Sequence, residues 1–554
     1  MHFLSGILTV LDQKEKRKLF LLIFLDVIIS ALDVAFLGLL VLVINFYIKN
    51  SGLHYFSWLP RSLADRNSLL LIFVFLILFG IKNIFAYYES AFSFRFIYGV
   101  ASRLSGQNIR KYLKDDYLKF INVDSAVLIR RISHQPLEFS LYILTNFQQI
   151  ISQSVLMLFI IVAILFYHAT LFLLLFLLLM PAVALLGWLL KRQLKHVRQD
   201  IKKTNQQTLK NLKEALAGYI ESNIYGKNDF FADRYYTQQR HLNQLIRTQQ
   251  SLQALPSRLI EVFAILGFFI LIAISKWSAQ SPVIDLVSIG IFMAAAYKII
   301  PGMVKILNIA GQMKTYEFTL HDLVADNNDQ PVIKAAKSAD PISSIEFRSI
   351  SFKYKDKPVL KGINFKILPG DFAGISGNSG RGKTTAINLL LGFIAQDDGA
   401  VLINDETIDS PLRRNYWDRI SYIKQQTFFI HDSILKNITL EEGGFDQIKL
   451  DNVITFCGLD TLIAQYPEGT NWTITENGKN LSGGQRQRIM LARALYHDFD
   501  LLILDEPFGE MDQESEHAIL KQLQLLAQQG KMIIFITHNK PSLNYCNKII
   551  PLDE

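Results

Sequence analysis

The chain has 554 residues, and half of them are hydrophobic. This length exceeds what one core usually holds, and the apolar content is high for a soluble protein, so we expect several domains, one of them in a membrane. The formal net charge of +8 would suit a nucleic-acid partner, but the basic residues cluster where apolar runs end. We therefore expect no nucleic-acid binding. The two cysteines, Cys457 and Cys546, lack metal-ligand or disulfide spacing and are expected to be reduced thiols.

Six apolar runs predict membrane spans. Each is long enough to cross a hydrocarbon layer of about 30 Å, which needs roughly 20 helical residues. Lipid offers the backbone no hydrogen-bond partner, so each span is expected to be helical. The third and fourth runs meet at His168–Ala169, which predicts a very short connection. The runs lie near residues 19–47, 69–90, 140–167, 169–190, 255–277 and 283–307.

The basic residues predict the orientation of these spans, because cytoplasmic loops are rich in lysine and arginine. The long connections 91–139 and 191–254 are basic, and the N-terminus carries the cluster Lys14, Lys16, Arg17 and Lys18. An even number of crossings returns the C-terminal half of the chain to the side of the N-terminus. We therefore expect a multi-pass inner-membrane protein whose N-terminus and soluble half are both cytoplasmic.

Changes in composition predict the domain organisation. Residues 1–322 contain the spans, residues 323–343 are polar with two prolines and form a linker, and residues 344–554 form a soluble domain. From Ile345 onward, short β-branched strands alternate with helices, a pattern typical of α/β nucleotide-binding domains. The predicted fold class is therefore multi-domain: a six-helix all-α transmembrane domain followed by an α/β nucleotide-binding domain.

Residues 377–384 fit the P-loop pattern G-x-x-x-x-G-K-[ST], between a strand at Phe372–Ile375 and a helix that starts near Thr385. Glycines let backbone N–H groups close around phosphates, and the helix N-terminus adds positive potential. Lys383 is expected to reach the β- and γ-phosphates of ATP, and the Thr384 hydroxyl to bind Mg²⁺. The predicted ATP-binding residues of this segment are Gly377, Asn378, Ser379, Gly380, Arg381, Gly382, Lys383, Thr384 and Thr385.

A second apolar strand, residues 501–504, ends in the two carboxylates Asp505 and Glu506. After a P-loop, such a strand is expected to carry the metal and the base of a phosphoryl-transfer site. Asp505 is expected to hold Mg²⁺, directly or through water. Glu506 is expected to orient and deprotonate the water that attacks the γ-phosphate.

The segment Leu-Ser-Gly-Gly-Gln-Arg-Gln-Arg at residues 481–488 opens another helix, whose N-terminus is a further anion-binding element. It resembles the signature motif of the ATP-binding cassette (ABC) family, and the resemblance extends over residues 345–554. It implies that two cassettes enclose two ATP molecules, each P-loop facing the signature of the partner. A homodimer is therefore expected, and a heterodimer with a related chain stays open. The signature residues are Ser482, Gly483, Gly484 and Gln485.

The same resemblance implies roles for residues between these motifs. Tyr354 stacks on adenine, Gln425 in the Q-loop serves both catalysis and Mg²⁺ binding, and His538 is catalytic. Asp512 closes the D-loop. Residues 507–512, Pro-Phe-Gly-Glu-Met-Asp, depart from the common D-loop Ala-Thr-Ser-Ala-Leu-Asp.

The arrangement of six spans before one cassette resembles the exporter-type membrane domain. That resemblance makes two interruptions in the long connections, near 118–126 and 222–230, the coupling helices that touch the cassettes. The segments 296–301 and 86–88 resemble PglK-type flippases of lipid-linked oligosaccharides. The expected function is ATP-driven export or flipping of an amphipathic, anionic lipid-linked substrate by alternating access, with membrane lipids as partners. A peptide exporter and a membrane ATPase without transport are the alternatives, and the fusion of the two domains disfavours an importer.

Three basic residues within predicted spans are candidates for a substrate cavity, because ionisable residues in spans usually face a cavity or a partner. Lys82, Arg258 and Lys298 fall in the inner half of the membrane by sequence position. In a two-fold dimer they would present six cations to the phosphate or pyrophosphate of a lipid. The alternative is internal pairing with the acidic residues Asp26, Asp33 and Glu261.

Overall fold

A computed structural model describes residues 2–48, 69–114, 123–277, 286–328, 340–355, 357–377 and 380–552. The chain divides into two compact units. The first, Met1–Asp115 with Asn122–Pro331, is helical. The second, Asp116–Ile121 with Val332–Glu554, combines helices with β-sheets.

The helical unit consists of long helices joined by short ones, and two π-helical turns at Arg130–His134 and Phe139–Leu144 separate α4, α5 and α6. The α-helices are α1 (His2–Val10), α2 (Gln13–Ile48), α3 (Leu70–Lys114), α4 (Ser125–Ile129), α5 (Gln135–Glu138), α6 (Thr145–Ala217), α7 (Tyr219–Ile224), α8 (Asn228–Trp277), α9 (Leu286–Thr315) and α10 (Glu317–Asn328).

Three segments in the described part of the chain are helical, long and apolar enough to cross a membrane: Gln13–Leu40, Leu70–Lys114 and Val127–Leu165. They overlap the first three predicted spans. Helix α3 has 45 residues, which at 1.5 Å per residue is roughly 68 Å, about twice the hydrocarbon thickness. A helix of this length would extend well beyond a membrane, into the connection that the sequence predicts to be cytoplasmic.

Helix α6 has an uninterrupted helical backbone across the third and fourth predicted spans, and its 73 residues would measure roughly 110 Å if it were straight. Lys213 Nζ nevertheless donates a hydrogen bond to Ser125 Oγ, at the start of α4. The chain must therefore reverse direction between these two residues. The predicted connection at His168–Ala169 lies midway between them in sequence, but its backbone is helical rather than a loop.

The core of the helical unit gathers α1, α2, α3, the second π-helical turn, α9 and α10 around side chains such as Leu22, Ile97 and Phe139. Helix α1 was not predicted from the sequence. Ile7, Val10 and Leu11 are buried, and this spacing places them on one helical face. Burial of this face stabilises a helix too short to form alone.

The second predicted cross-helix has different bounds in the structure. Helix α7 ends at Ile224, and α8 begins at Asn228, so residues 222–230 are not one helix. Gly226, with φ of +60°, has the left-handed conformation that ends helices. The first predicted cross-helix falls partly on residues 118–122, which lie outside the described residues. Helix α10 continues through Asn328, past the predicted start of the linker at residue 323.

The described part of the second unit contains three sheets, one of which is the short antiparallel pair β7-β8, and its strands and helices lie within residues 345–551. The strands are β1 (Ile345–Tyr354), β2 (Lys357–Ile367), β3 (Phe372–Ser376), β4 (Asp398–Ile403), β5 (Glu406–Thr407), β6 (Ile420–Ile423), β7 (Asp432–Ser433), β8 (Thr473–Ile474), β9 (Leu501–Asp505), β10 (Met532–Ile536) and β11 (Lys548–Pro551). The α-helices are α11 (Lys383–Leu390), α12 (Ser410–Arg413), α13 (Ile434–Thr439), α14 (Gln447–Phe456), α15 (Asp460–Ile463), α16 (Gly483–Tyr496) and α17 (Gln513–Gln528).

The larger sheet has five parallel strands in the order β11-β3-β10-β9-β6, and an antiparallel sheet has the order β2-β1-β4-β5. Strands β9 and β10 are buried along their whole length, which explains their continuous apolar sequences. One apolar cluster packs α11 and the antiparallel sheet on one face of the parallel sheet. A second cluster packs α16 and α17 on the other face.

Candidate nucleotide site

Four loops meet at one edge of the parallel sheet. They follow β3, β6, β9 and β10, which are neighbours in that sheet. Because all these strands run in the same direction, their carboxyl ends lie together, and this is where open α/β sheets bind ligands. The four loops carry the P-loop, Gln425, the Asp505–Glu506 pair and His538.

A cleft of about 1020 Å³ lies at this edge. It brings together predicted site residues that are far apart in the sequence, such as Tyr354 and His538. Asn378 and Ser379 lie outside the described residues. The predicted site residues that line the cleft are Tyr354, Gly380, Arg381, Gly382, Lys383, Thr384, Thr385, Gln425, Glu506 and His538.

The P-loop needs glycine at residue 382. Gly382 has φ of +90° and immediately precedes α11. A Cβ there would lie 2.8 Å from Leu360 Cδ2 and 2.9 Å from Val359 Cγ1, closer than real Cβ contacts allow. Without a side chain, the loop turns sharply into α11, so the helix N-terminus opens toward the cleft.

Lys383 is the first residue of α11, and its side chain is buried. Its Nζ donates a hydrogen bond to the Gly377 carbonyl oxygen at 2.9 Å. The same ammonium group lies 3.2 Å from both ring nitrogens of His538. A buried ammonium group needs such polar partners. Here Gly377 and His538 hold the positive charge of Lys383 inside the cleft.

Glu506 is held from two sides. Gln425 Nε2 donates a hydrogen bond to Glu506 Oε2 at 2.9 Å, and His538 Nε2 lies 2.7 Å from Glu506 Oε1. A histidine that carries its proton on Nε2 satisfies both neighbours, because it donates to Glu506 while Nδ1 accepts from Lys383. Glu506 also has φ of +53°, an uncommon conformation for a residue with a side chain.

Asp505 and Thr384 form an oxygen-rich pair beside Glu506. Thr384 Oγ1 donates to Asp505 Oδ2 at 3.5 Å, and Asp505 is buried at the end of β9. Burial raises the pKa of Asp505, and the negative charge of Glu506 raises it further. A positive charge beside this carboxylate would therefore offset an electrostatic cost that the fold imposes.

The signature segment is built as a capped helix N-terminus. Ser482 Oγ accepts a hydrogen bond from the Gln485 N–H at 3.3 Å, and Gln485 Oε1 accepts one from the Ser482 N–H at 2.8 Å. This reciprocal capping box fixes the first turn of α16. Of the described residues, the set that lines the P-loop cleft includes none from the segment 482–485.

Comparison with known proteins places this site in a family. Residues 360–509 match the family model described as ABC transporter. The structure of a bacterial Atm1-family ABC exporter with ATP bound matches with a TM-score of 0.80 at 17% identity, over 98% of this chain and 93% of that one. This chain has the fold of an ABC exporter half-transporter.

Curated relatives of this half-transporter agree with the structural match. The ATP-dependent lipid A-core flippase of Bordetella pertussis (strain Tohama I) is 24% identical over 506 residues, which are 90% of this chain and 79% of that protein. A protein of the same name from Cupriavidus pinatubonensis is 25% identical over 402 residues, 70% of this chain and 67% of that protein.

The predicted fold class is therefore confirmed, and the expected ABC cassette is supported by the family model over residues 360–509. The half-transporter has an N-terminal helical transmembrane domain and a C-terminal ABC nucleotide-binding domain. It is a multi-pass membrane protein. Its cassette binds ATP, and its hydrolysis of ATP to ADP and phosphate is coupled to transport.

The D-loop aspartate of the half-transporter caps a helix. Asp512 Oδ1 accepts a hydrogen bond from the Ser515 N–H at 2.9 Å, at the start of α17. This backbone hydrogen bond lowers the pKa of Asp512. Asp512 therefore caps the N-terminus of α17, in addition to the D-loop role that the resemblance implies.

The three basic residues proposed for the cavity have different surroundings. Lys82 Nζ forms an ion pair with Asp33 across α2 and α3, and its side chain is only 9% exposed. This contact corresponds to the internal-pairing alternative. Arg258 is exposed on α8 and has interactions of its own. The side chain of Lys298 lies outside the described part of the structure.

Two features of the structure were not predicted from the sequence: a chain of polar side chains through the helical unit, and the position of the D-loop glutamate. Ser93 Oγ donates to Gln148 Oε1 at 2.7 Å, and Gln148 Nε2 donates to Asp26 Oδ2 at 3.0 Å. Glu510 forms an ion pair with Arg486 in the signature helix, with 2.9 Å between Oε2 and Nη2. The departure of residues 507–512 from the usual D-loop was the only sequence signal for the second contact.

Proposed function

We propose that two copies of this half-transporter form a homodimer that flips an amphipathic, anionic lipid-linked substrate across the inner membrane by alternating access. The observation that carries the proposal is the composition of the cleft. It holds Lys383, Gln425, Glu506 and His538, whereas the signature of the same chain does not line it. A second chain then supplies the missing anion-binding helix terminus. A heterodimer with a related chain remains the alternative.

In this proposal, domain bounds follow the sequence: a transmembrane domain at 1–322 with six spans, a linker at 323–343 and a cassette at 344–554. The N-terminus and the cassette are cytoplasmic, as the basic connections predict. Helix α7 and the residue after it have exposed apolar side chains, which supports a role of this segment as a coupling segment. These are Tyr219, Ile220, Ile224 and Tyr225.

ATP is held by the P-loop, Gly377 to Thr385, with the phosphates against Lys383 and the N-terminus of α11. Tyr354 stacks on adenine from the rim of the cleft, where 47% of its surface is exposed. When ATP binds, the Lys383 ammonium group replaces its contacts with Gly377 and His538 by contacts with phosphate oxygens. The cleft thus presents a preformed cation rather than one recruited from solvent.

Glu506 is the general base. Its carboxylate is fixed by Gln425 and His538 at the mouth of the cleft, so it can accept a proton from a water aligned with the γ-phosphate. His538 donates to Glu506 and so holds the carboxylate in one orientation. The positive φ of Glu506 is consistent with a side chain that the fold aims at the cleft at some conformational cost.

Thr384, Asp505 and Gln425 fit Mg²⁺. All three offer oxygen atoms, and Gln425 uses its nitrogen for Glu506, which leaves Oε1 for a cation. The described residues contain no cluster of three or more His, Cys, Asp or Glu side chains that could hold a metal. Mg²⁺ suits such a site, because it usually binds one or two carboxylates together with phosphates and waters. When bound, Mg²⁺ would neutralise charge on the phosphates.

The signature residues Ser482, Gly483, Gly484 and Gln485 complete the site of the partner. Mixed dimers test this arrangement. Lys383→Ala removes the phosphate cation, and Gly484→Asp places a negative charge at the signature. The Gly484 substitution has room, since the nearest heavy atom to an added Cβ is the Glu510 carbonyl oxygen at 3.4 Å.

We expect dimers that combine a Lys383→Ala chain with a Gly484→Asp chain to regain ATP hydrolysis, because one complete site forms across the interface. The matched control pairs a wild-type chain with a chain that carries both substitutions, and it should be inactive. Differently tagged chains, purified sequentially, allow the two assemblies to be compared directly. If the mixed dimer of two single variants is inactive and the control dimer is active, each ATP site lies within one chain.

Names of the relatives support a lipid substrate, since both are called lipid A-core flippases. An oligosaccharide-lipid of the PglK type stays within this proposal. Arg258 and Lys298 remain candidates for contact with an anionic head group, whereas Lys82 has Asp33 as its partner. A peptide exporter is the second candidate, because the helical domain alone does not select the substrate.

A further inference from the structure

The unusual D-loop packs against the signature helix of its own chain. Phe508 is buried and packs against Phe535 of β10, with ring centroids 5.8 Å apart. This contact anchors the segment, which then continues through Gly509 to Glu510. The Glu510 N–H donates a hydrogen bond to Gln487 Oε1 at 3.1 Å. Both the backbone and the side chain of Glu510 therefore contact α16.

The Glu510 carboxylate lies over the first turn of α16. Its Oε2 is 2.9 Å from Arg486 Nη2. A Cβ added to Gly483 would clash with the same oxygen and would lie 2.7 Å from Glu510 Cβ. The missing side chain of Gly483 thus makes the space in which this carboxylate sits.

The position of the Glu510 carboxylate is important because a negative charge there interacts with the N-terminus of α16. The first N–H groups of a helix have no partner within the helix, and the helix dipole favours an anion beside them. A phosphate of ATP uses the same groups and the same positive potential. A carboxylate and a γ-phosphate are both negative, so a carboxylate held beside this helix terminus opposes the binding of a phosphate there.

We propose that Glu510 lowers the affinity of the site for ATP, because its carboxylate lies beside the anion-binding N-terminus of the signature helix in its own chain. The nucleotide held by the partner displaces the carboxylate when the dimer closes, and Arg486 retains it beside the helix. The unusual D-loop sequence at residues 507–512 would thus regulate ATP affinity. The inference rests on the proposed function, in which the signature completes the partner's site.

Removal of the charge tests this inference in the purified full-length protein. Glu510→Gln should lower the KM for ATP by about two- to fivefold, which corresponds to the usual energy of a charge beside a helix terminus. The value of kcat should change less than KM. The difference from wild type should shrink at about 1 M salt, where charges are screened beyond roughly 3 Å.

Glu514→Gln is the matched control, since Glu514 is an exposed acid in the first turn of α17 and contacts neither the cleft nor α16 in the described contacts. It should leave the KM for ATP unchanged. Glu510→Ala should reproduce the effect of Glu510→Gln, with an unchanged thermal midpoint, because the side chain is 56% exposed.

An unchanged or raised KM in both Glu510 variants would overturn the inference. If those variants show no effect while the mixed dimers still form a complete site across the interface, only the role of Glu510 fails. If the mixed dimers instead place each site within one chain, the proposed function and this inference fail together.

Discussion

Glu506→Gln is expected to lower steady-state ATP hydrolysis by about 10²- to 10⁴-fold, the usual contribution of a general base. Glutamine has nearly the same shape and can still contact Gln425 and His538, but it cannot accept a proton from water. ATP binding should persist, because the P-loop and Lys383 are untouched. The variant should accumulate as a nucleotide-bound closed dimer, which size-exclusion chromatography with labelled ATP can detect.

Lys383→Ala serves as the contrasting variant. It removes the cation at the floor of the cleft and should weaken ATP binding itself, so neither turnover nor a trapped dimer is expected. Near-wild-type turnover by Glu506→Gln would show that Glu506 is not the base. Loss of ATP binding by Glu506→Gln would show that its contacts with Gln425 and His538 support the fold of the cleft instead.

Lys82→Gln is expected to destabilise the helical domain by about 1–3 kcal/mol, because it leaves the partly buried Asp33 carboxylate without its partner. The Lys82 side chain is 9% exposed and that of Asp33 is 27% exposed, so the solvent can compensate the remaining carboxylate only in part. The measurement is the thermal unfolding midpoint of the purified protein in detergent.

The double variant Lys82→Gln/Asp33→Asn provides the control for this pair. It removes both charges and should recover most of the lost stability, because no isolated charge remains. The substrate response of the surviving folded protein should be retained. A normal midpoint combined with a lost substrate-stimulated ATPase would instead identify Lys82 as a ligand of the anionic head group.

The nucleotide site could be predicted in detail because its motifs are local. The P-loop, the Asp505–Glu506 pair and His538 each follow a buried strand, and parallel strands bring their carboxyl ends together. Gln425 has a weaker local signal, and the family resemblance identified it. The structure then supplies what the motifs lack, namely the contacts of Glu506 with Gln425 and His538.

Contacts between distant elements could not be predicted in the same way. The sequence offered Asp26, Asp33 and Glu261 as acidic partners for the basic residues in the spans, and the packing of α2 against α3 pairs Lys82 with Asp33. Glu510 meets a helix that begins 27 residues earlier, at Gly483, so its position depends on how the D-loop packs. The α7 boundaries depend on the left-handed turn at Gly226.

Movement of a lipid during ATP hydrolysis is the decisive measurement for a flippase. Proteoliposomes would contain the purified protein and a glycolipid with an anionic, fluorescent head group, and an impermeant quencher would report which leaflet holds it. We expect ATP-dependent transfer by the wild-type protein and none by Glu506→Gln. A wild-type protein that hydrolyses ATP without moving this lipid, but transports a peptide in the same vesicles, would contradict the flippase proposal.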